Sequence, residues 1–257
     1  MSAWHDLTGH VALVTGGNGG IGLGMARGLR DAGATVVIWG TNAAKNEAAV
    51  AELTSGGAPA PVGSFTVDVS DEDAVTAGLK ATLDQFGRID SCFANAGVGP
   101  RPTSIDTLST REWRRVMAVN LDGVFFTVRA VAAQMKSRGA GGSIVFTSSV
   151  SVSDGMAFST HYAAAKSALV AMARALAVEL ARDDIRVNAL VPGWTKAAMT
   201  DALLESAAAQ AKILPRIPLR RWGKPQDFEA VAVWLAGPGS AYFTGQTLVI
   251  DGGYTVF

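Results

Sequence analysis

One tyrosine and one lysine stand four residues apart in a stretch of small residues. Tyr162 and Lys166 belong to the run STHYAAAKSAL, which covers residues 159–169. Residues at i and i+4 of a helix are neighbours, with Cβ atoms about 5 to 6 Å apart. A lysine charge about 5 Å from a phenol lowers the pKa of that phenol by about two units, from about 10 to about 8. The pair therefore predicts a general acid and base suited to carbonyl reduction or alcohol oxidation.

A glycine-rich turn near the amino terminus predicts a site for a diphosphate. The sequence VALVTGGNGGIGLGMARGL, at 11–29, passes from an apolar strand through a cluster of glycines into a helical pattern. This order lets a diphosphate reach backbone N–H groups at the positive end of a helix. The turn matches G-x-G-x-x-G and also T-G-x-x-x-G-I-G, and no Lys-Ser or Lys-Thr pair follows it, which argues against a Walker-type site. The motif therefore indicates dinucleotide binding.

Length, charge and cysteine content limit the class of protein. With 257 residues the chain is expected to form one domain, 1–257. The net charge is +0, so neither nucleic acid nor a membrane is an expected partner. One cysteine, Cys92, precludes an internal disulfide, and three histidines form no metal-ligand pattern, so no metal is predicted. Without a recognisable secretory signal or membrane-spanning run, we expect a cytoplasmic protein acting on a small molecule.

Short β-branched runs alternate with longer alanine-rich helical stretches along the chain. Seven apolar runs are interpreted as strands, at 11–16, 34–39, 64–69, 90–97, 142–149, 185–193 and 246–251. Strands that are apolar on both faces and separated by helices favour a parallel sheet, because parallel neighbours need long crossovers. We therefore predict an α/β fold: a single-domain, doubly wound (Rossmann) parallel sheet of about seven strands with helices on both faces.

The least regular long connection, residues 196–221, is predicted to cover the ligand. It contains a helical pattern, ALLESAAAQAKIL, followed by PRIPLRRWG, in which Pro215 and Pro218 should break any helix. Insertions of this length in compact domains are often mobile lids, so we interpret the segment as a substrate lid. Elsewhere, Ser70 is predicted to cap the helix that follows the third strand.

Together these motifs resemble the short-chain dehydrogenase/reductase family over nearly the whole chain. The matching segments follow in order: TGGNGGIG at 15–22, Asp68 in VDVS, ANAG at 94–97, Asn120 in AVNLDGVF, Ser149 thirteen residues before Tyr162, YAAAK at 162–166, PGW at 192–194, RWGKPQD at 221–227 and DGG at 251–253. The resemblance implies an oxidoreductase that exchanges a hydride between NAD(P) and a ketone or secondary alcohol. The alternatives are a 3-oxoacyl carrier-protein reductase, with Arg129 and Arg174 receiving an acidic partner, and a non-catalytic dinucleotide-binding sensor.

The resemblance also implies a set of four catalytic residues, namely Asn120, Ser149, Tyr162 and Lys166. Tyr162 exchanges a proton with the substrate oxygen, Ser149 orients that oxygen, and Lys166 lowers the pKa of the tyrosine and holds the nicotinamide ribose. Asn120 is expected to distort its helix so that a carbonyl holds a water linking Lys166 to solvent. On the residues alone, Ser148 and Ser151 compete with Ser149, and Asn120 is equally a buried amide satisfied by backbone groups.

Cofactor contacts are implied at the ends of successive strands. They are Gly16, Asn18, Gly20, Ile21, Gly22, Thr41, Asp68, Val69, Asn95, Ala96, Gly97, Pro192, Gly193 and Thr195, together with Tyr162 and Lys166. Gly40 occupies the position where an acid usually binds the adenosine ribose of NAD, so nothing repels a 2′-phosphate. Thr41, Asn42 or Lys45 is available to bind that phosphate. These residues therefore favour NADP(H) over NAD(H) as the cofactor.

Three further expectations concern the lid, one histidine and the assembly. Ala197 replaces a threonine that in many relatives bonds the nicotinamide amide, and Thr195 or Thr200 is a candidate substitute. His161 is interpreted as a solvated histidine in preference to a substrate contact. The resemblance implies a homotetramer with contacts through the helix carrying Tyr162, the long helix before it, and the C-terminal VIDGGYTVF.

Overall fold

A parallel sheet of seven strands is the centre of the fold in the computed structural model, which describes residues 4–55, 57 and 60–257. The strands are β1 (Val11–Thr15), β2 (Thr35–Gly40), β3 (Val62–Thr66), β4 (Ser91–Ala94), β5 (Gly142–Thr147), β6 (Ile185–Pro192) and β7 (Thr247–Ile250). They lie in the order β3-β2-β1-β4-β5-β6-β7, and every neighbouring pair is parallel. The predicted doubly wound sheet is confirmed.

Helices cover both faces of the sheet. They are α1 (Gly20–Asp31), α2 (Ala43–Thr54), α3 (Glu72–Phe86), α4 (Thr110–Met117), α5 (Gly123–Arg138), α6 (Thr160–Leu180), α7 (Asp201–Leu204), α8 (Ala207–Lys212) and α9 (Glu229–Ala236). One apolar cluster joins the sheet to α3, α5 and α6, and a second joins it to α1, α2 and α9. Because both faces are buried, the strands have apolar residues on both sides.

The helical stretch Thr110–Arg138 is long enough to cross a membrane and contains an 18-residue window with a mean hydropathy of 1.5, apolar enough for a membrane span. It comprises α4, a short connecting turn and α5. Val124, Val128 and Val131 of α5 lie in the core cluster against the sheet. Packing on the sheet therefore accounts for the apolar character of this stretch.

The third strand lies earlier in the sequence than its pattern predicts. The structure ends β3 at Thr66, whereas the apolar alternation continues to residue 69. Val67 and Val69 are buried in the core beyond the last residue of the strand. Alternation alone does not distinguish these two core residues from residues of the strand, so the predicted bounds of 64–69 are wrong.

The cap of α3 also differs from the prediction. Asp71, not Ser70, is the N-cap residue, because its carboxylate accepts hydrogen bonds from the N–H groups of Asp73 at 2.9 Å and Ala74 at 3.1 Å. The Ser70 hydroxyl instead donates to the carboxylate of Asp68 at 2.7 Å. Ser70 therefore belongs to the turn that leads from β3 into the helix.

Candidate active site

Most of the residues singled out from the sequence lie at the carboxyl ends of the strands. Gly16 follows β1, Gly40 ends β2, Asn95 follows β4, Ser149 follows β5 and Pro192 ends β6. The order of the strands reverses between β1 and β4. Doubly wound folds bind their ligands in the crevice at such a switch point. The structure therefore brings the predicted cofactor-binding and catalytic segments to one edge of the sheet.

The glycine turn after β1 packs tightly against the end of β4. Gly16 has φ +64°, which favours glycine, and a Cβ at Gly22 would lie 2.3 Å from the Gly16 carbonyl oxygen and 2.5 Å from Asn95 Nδ2. Asn95 Nδ2 donates to the Thr15 carbonyl at 3.0 Å, and Thr15 Oγ1 accepts the N–H groups of Asn95 and Ala96 at 3.0 Å each. No side chain caps α1, so its first N–H groups are not satisfied by a capping side chain. The turn fits a dinucleotide diphosphate.

An amide pair fills the end of β2. A Cβ at Gly40 would lie 2.3 Å from Asn18 Nδ2 and 2.5 Å from Asn46 Oδ1. Asn18 Nδ2 donates to Asn46 Oδ1 at 2.7 Å, and Asn46 Nδ2 donates to the carbonyls of Gly40 at 3.0 Å and Phe65 at 3.2 Å. This position therefore has neither space for a side chain nor a negative charge.

The segment after β2 offers neutral and positive groups. Thr41, Asn42 and Lys45 are exposed, and Asn42 Oδ1 caps α2 by accepting the Lys45 N–H at 2.9 Å. Asp68, which follows β3, is exposed and its carboxylate also accepts the Ser70 N–H at 2.9 Å. The neighbouring Val69 is buried, so its side chain contributes to the core.

Tyr162 and Lys166 lie on the same side of α6, as their spacing predicts. The Lys166 Nζ atom is 5.9 Å from the centre of the Tyr162 ring. Lys166 is 4% exposed, and its Nζ donates to the Thr147 carbonyl, at the end of β5, over 2.8 Å. Burial lowers the pKa of Lys166 to about 8. The ammonium group therefore lies close to the phenol and is bound to the strand beside it.

The pKa of Tyr162 differs from the expectation based on sequence. Burial raises the pKa of the phenol above its ordinary value, and a hydrogen bond with Ser149 acts in the opposite direction. The lowering to about 8 that the i,i+4 lysine predicts is not seen. Desolvation explains the difference, because it disfavours the charged form of each group and the sequence pattern gave no information on burial.

The structure separates the three serines that follow β5. The Ser148 hydroxyl donates to the Lys166 carbonyl at 2.8 Å, which attaches the backbone of α6 to the strand. Ser151 is buried, and its N–H donates to Ser149 Oγ at 3.2 Å. Ser149 is half-buried, and the interaction of its hydroxyl with Tyr162 lowers the pKa of the phenol. Ser149 is therefore the serine placed with the phenol, in line with the family spacing.

The helix that contains Asn120 is distorted, as expected. Residues Ala118–Asp122 form a turn of π-helix between α4 and α5, and such turns are frequent at functional sites. Asn120 is 0% exposed, its Oδ1 accepts the Val98 N–H at 2.8 Å, and its Nδ2 donates to the Val98 carbonyl at 2.9 Å. The amide is therefore satisfied by backbone groups and clamps the loop after β4, while the water link to Lys166 stays a prediction.

The segment predicted to be a lid touches the glycine turn and the loop after β4. A Cβ at Gly20 would lie 2.9 Å from Ala197 Cβ, and a Cβ at Gly99 would lie 3.0 Å from Met199 Cγ. The pattern ALLESAAAQAKIL forms two short helices, α7 and α8, because Ser206 caps the second of them. The 196–221 segment therefore lies across the glycine turn and the loop after β4.

The threonines near Ala197 are bonded to nearby backbone. Thr195 is buried, and its hydroxyl donates to the Gly193 carbonyl at 3.1 Å. The Thr200 hydroxyl donates to the Thr195 carbonyl at 2.6 Å. A bridge between Thr195 and Gly223 joins the chain on either side of the 196–221 segment. That either threonine replaces the missing amide contact stays a prediction.

Several residues that support the site were not identified from the sequence. The structure buries His161, which was expected to be solvated, and places its Nε2 3.6 Å from Glu112 Oε1. The others are Asn46, which pairs with Asn18 of the glycine turn, Glu112 and Arg115 on α4, and Thr147, whose backbone carbonyl accepts the Lys166 ammonium. The only signal for Asn46 is a polar side chain within an otherwise apolar pattern, and that signal does not name a partner.

The chain is similar to known proteins over nearly all of its length. Residues 16–255 match a family model described as Enoyl-(Acyl carrier protein) reductase. The chain is 39% identical to 3-oxoacyl-(acyl-carrier-protein) reductase of Chlamydia pneumoniae, over 97% of this chain and 98% of that protein. A short-chain type dehydrogenase/reductase from Mycobacterium marinum has a TM-score of 0.91 at 34% identity, over 98% of both chains. A gluconate 5-dehydrogenase from Burkholderia cenocepacia J2315, in complex with NADP and tartrate, has a TM-score of 0.92 at 35% identity, over 99% of this chain and 98% of that one.

The clamp on Val98 leads to a prediction for Asn120→Ala. Removing the amide leaves the Val98 N–H and carbonyl unpaired, so the free energy of unfolding should fall by about 2 to 3 kcal/mol. Amide exchange of a peptide covering 97–101 should accelerate about tenfold or more. Asn46→Ala is the matched control, because it removes another buried asparagine and should leave exchange at 97–101 unchanged. Equal exchange in Asn120→Ala and the wild type would contradict the clamp.

Proposed function

The chain belongs to the short-chain dehydrogenase/reductase family, and from that premise we propose that Tyr162 is the general acid and base of its reaction. The chain is an NAD(P)-dependent oxidoreductase acting on ketones or secondary alcohols. The observation that carries the proposal for Tyr162 is the grouping of its phenol with Ser149 and Lys166 at the ligand-binding edge of the sheet. A non-catalytic sensor would have no use for this group.

The residues of the glycine turn and the strand ends would hold the dinucleotide, as their geometry fits its diphosphate. When bound, the dinucleotide supplies a hydride to the carbonyl carbon of the substrate or accepts one in the reverse direction. The protein contributes placement and a proton. Pro192 ends β6, and Gly193 and Thr195 follow it on the same edge, where they complete the proposed cofactor contacts.

Proton transfer is assigned to the phenol of Tyr162. In the reduction its Oη–H donates to the substrate oxygen, which Ser149 also orients through its hydroxyl. A raised pKa keeps the phenol protonated until negative charge develops on that oxygen. The Lys166 ammonium then stabilises the phenolate, and this effect is larger in a desolvated site than in water. The proposed role of Asn120 is to hold the backbone that lines a water path from Lys166.

Tyr162→Phe tests this assignment. The variant should retain cofactor binding and lower kcat by about 1,000-fold, because it loses the proton donor but keeps the ring. Turnover is measured by nicotinamide absorbance with a panel of ketones and alcohols, and binding by titration of nucleotide fluorescence. Tyr242→Phe, which removes an exposed phenol, is the matched control and should have the wild-type rate. A near-normal rate in Tyr162→Phe on any accepted substrate would refute the role.

NADP(H) is the proposed form of the cofactor. The end of β2 has an amide pair in place of a carboxylate, and the exposed Lys45 follows it on the first turn of α2. A 2′-phosphate at this position meets no negative side chain from residues 40–45. The similar gluconate 5-dehydrogenase was solved with NADP. These observations support NADP(H), although the glycine turn has no basic residue that could bind the 2′-phosphate.

Kinetics with both cofactors test this preference. We expect kcat/KM with NADPH to exceed that with NADH by about tenfold or more, and Thr41→Asp to remove most of this ratio by repelling the 2′-phosphate. Ala51→Asp, which adds a charge at an exposed position further along α2, is the matched control and should preserve the ratio. A wild-type preference for NADH, or an unchanged ratio in Thr41→Asp, would contradict the proposal.

The proposed substrate is a small ketone or secondary alcohol. The second candidate is a 3-oxoacyl group on a carrier protein, since a relative from Chlamydia pneumoniae has that name. Arg129, one of the two arginines considered for an acidic carrier, is paired with Glu72 and stacks over the Phe125 ring at 4.8 Å. Because the Arg129 guanidinium is already paired with a carboxylate, it is less available to an acidic carrier protein, and this weakens the second candidate. Including 3-oxoacyl thioesters, free and on carrier protein, in the panel distinguishes the two.

Closure of residues 196–221 over the substrate is the proposed role of the lid. The contacts of Ala197 and Met199 with the glycine turn and the loop after β4 support it. Trypsin sites at Lys196, Lys212 and Arg220 are exposed. We expect cofactor and substrate together to slow cleavage at these sites, whereas cleavage at the exposed Lys80 should not change. Equal cleavage of the lid with and without ligands would count against closure.

A homotetramer in the cytoplasm is the proposed state of the protein. Large apolar side chains are exposed on the helices and the terminus expected to form contacts: Phe125 on α5, Val178 on α6, and Val256 and Phe257 at the C-terminus. Cys92 is buried as a free thiol, which suits a reducing compartment. Sedimentation at micromolar concentration distinguishes the tetramer from a monomer.

A further inference from the structure

The helix that carries Tyr162 has no side-chain cap at its amino-terminal end. Its N-cap residue, Ser159, makes no side-chain cap hydrogen bond, an interaction that typically contributes about 1 kcal/mol. Phe158, directly before it, has φ +62°, a conformation that is unfavourable for a bulky side chain. The Phe158 side chain is 59% exposed, so burial does not offset this strain. Because Tyr162 lies on the first turn of α6, contacts from other elements must fix its position.

The neighbouring His161 makes such a contact. Its side chain is 0% exposed, and neither ring nitrogen has a hydrogen-bond partner among the described residues. The Nε2 atom lies 3.6 Å from Oε1 of Glu112 on α4. Burial of a polar group without a hydrogen bond is costly, and an apolar residue of similar volume would avoid that cost. Packing alone therefore does not explain a histidine at this position.

Glu112 is a fixed carboxylate. Its Oε2 accepts Arg115 Nε at 2.8 Å, its Oε1 accepts Arg115 Nη2 at 2.7 Å, and the Arg101 N–H donates to Oε1 at 3.2 Å. The hydrogen bonds from Arg115 lower the pKa of Glu112 to about 2 although burial opposes them. Arg115 Nη2 also donates to the Gly99 carbonyl at 2.8 Å. One pair of side chains on α4 thus holds the loop after β4 and faces the start of α6.

We propose that His161 is a positioning residue for Tyr162, and that its contact with Glu112 fixes the first turn of α6 against α4 and the loop after β4. The inference rests on the proposed role of Tyr162. A misplacement of about 1 Å at a reacting group can lower a rate about 100-fold, so a weak contact that fixes the phenol affects turnover more than stability. His161 acts through Tyr162 and has no chemical step of its own.

Two substitutions of His161 separate positioning from packing. His161→Leu retains bulk and removes both nitrogens, whereas His161→Gln retains an N–H donor that can reach Glu112. A residue that only packs would give a leucine variant with unchanged turnover and an equal or higher Tm, because an unpaired buried group has been removed. If His161 is a positioning residue, the leucine variant should have a reduced kcat although its Tm is equal to or higher than that of the wild type. The glutamine variant should then have a kcat close to that of the wild type.

We expect His161→Leu to lower kcat about tenfold or more, with KM for the cofactor unchanged within about twofold. Amide exchange in a peptide covering 160–166 should be faster in this variant and close to wild type in His161→Gln. Exchange is measured by mass spectrometry on the cofactor-free protein, so it does not depend on finding a substrate. Glu112→Gln should lower kcat as well, and combining it with His161→Leu should give less than the product of the two effects.

Two controls separate this inference from the proposed function. His10→Gln alters a histidine whose Nε2 lies 3.0 Å from Ser91 Oγ at the opposite edge of the sheet, and it should leave kcat unchanged. If Tyr162→Phe retains turnover, the proposed function fails whatever His161 does. If Tyr162→Phe is inactive while His161→Leu turns over like the wild type, or if the leucine and glutamine variants lose rate equally, the positioning role is overturned. Should His161→Leu not fold, an unchanged kcat in Glu112→Gln overturns it instead.

Discussion

Desolvation of a phenol and an ammonium group at one site is the constraint on which the rest of the structure depends. Burial raises the pKa of Tyr162 and lowers that of Lys166 to about 8. Each group is thus biased towards its neutral form, and the low dielectric that causes this bias also strengthens their attraction when the phenol gives up its proton. Such a pair can keep a proton available and still stabilise the anion that its transfer leaves behind.

The elements around this pair hold it at several separate points. The end of β5 binds Lys166 twice, through the Thr147 carbonyl to its ammonium and through the Ser148 hydroxyl to its backbone carbonyl. On the other side, the loop that follows β4 is held by Arg115 of α4 and by Asn120 of the π-helical turn after α4. The same loop meets the glycine turn through Thr15 and Asn95. The dinucleotide edge and the proton-transfer group are therefore parts of one hydrogen-bonded framework.

Much of this could be predicted from the sequence because it rests on local patterns. The alternation of apolar strands and helices predicted the parallel sheet, and the i,i+4 spacing placed Lys166 beside Tyr162. What could not be predicted depends on residues distant in the chain. The burial of His161 follows from packing against α4, some fifty residues earlier, and the Asn18–Asn46 pair at Gly40 joins a turn to a separate helix. The direction of the Tyr162 pKa shift was missed for the same reason, since spacing gives charge proximity but not solvent exclusion.

Titration of the Tyr162 phenol in the cofactor-free protein tests the central claim most directly. The chain has three tyrosines, so the Cζ resonance of Tyr162 can be assigned by its loss from the spectrum of Tyr162→Phe. We expect this resonance to titrate above the ordinary tyrosine value of about 10, because desolvation is the larger effect. A titration below that value would show that the charge of Lys166 outweighs desolvation, and would contradict a phenol that keeps its proton until the substrate oxygen takes it.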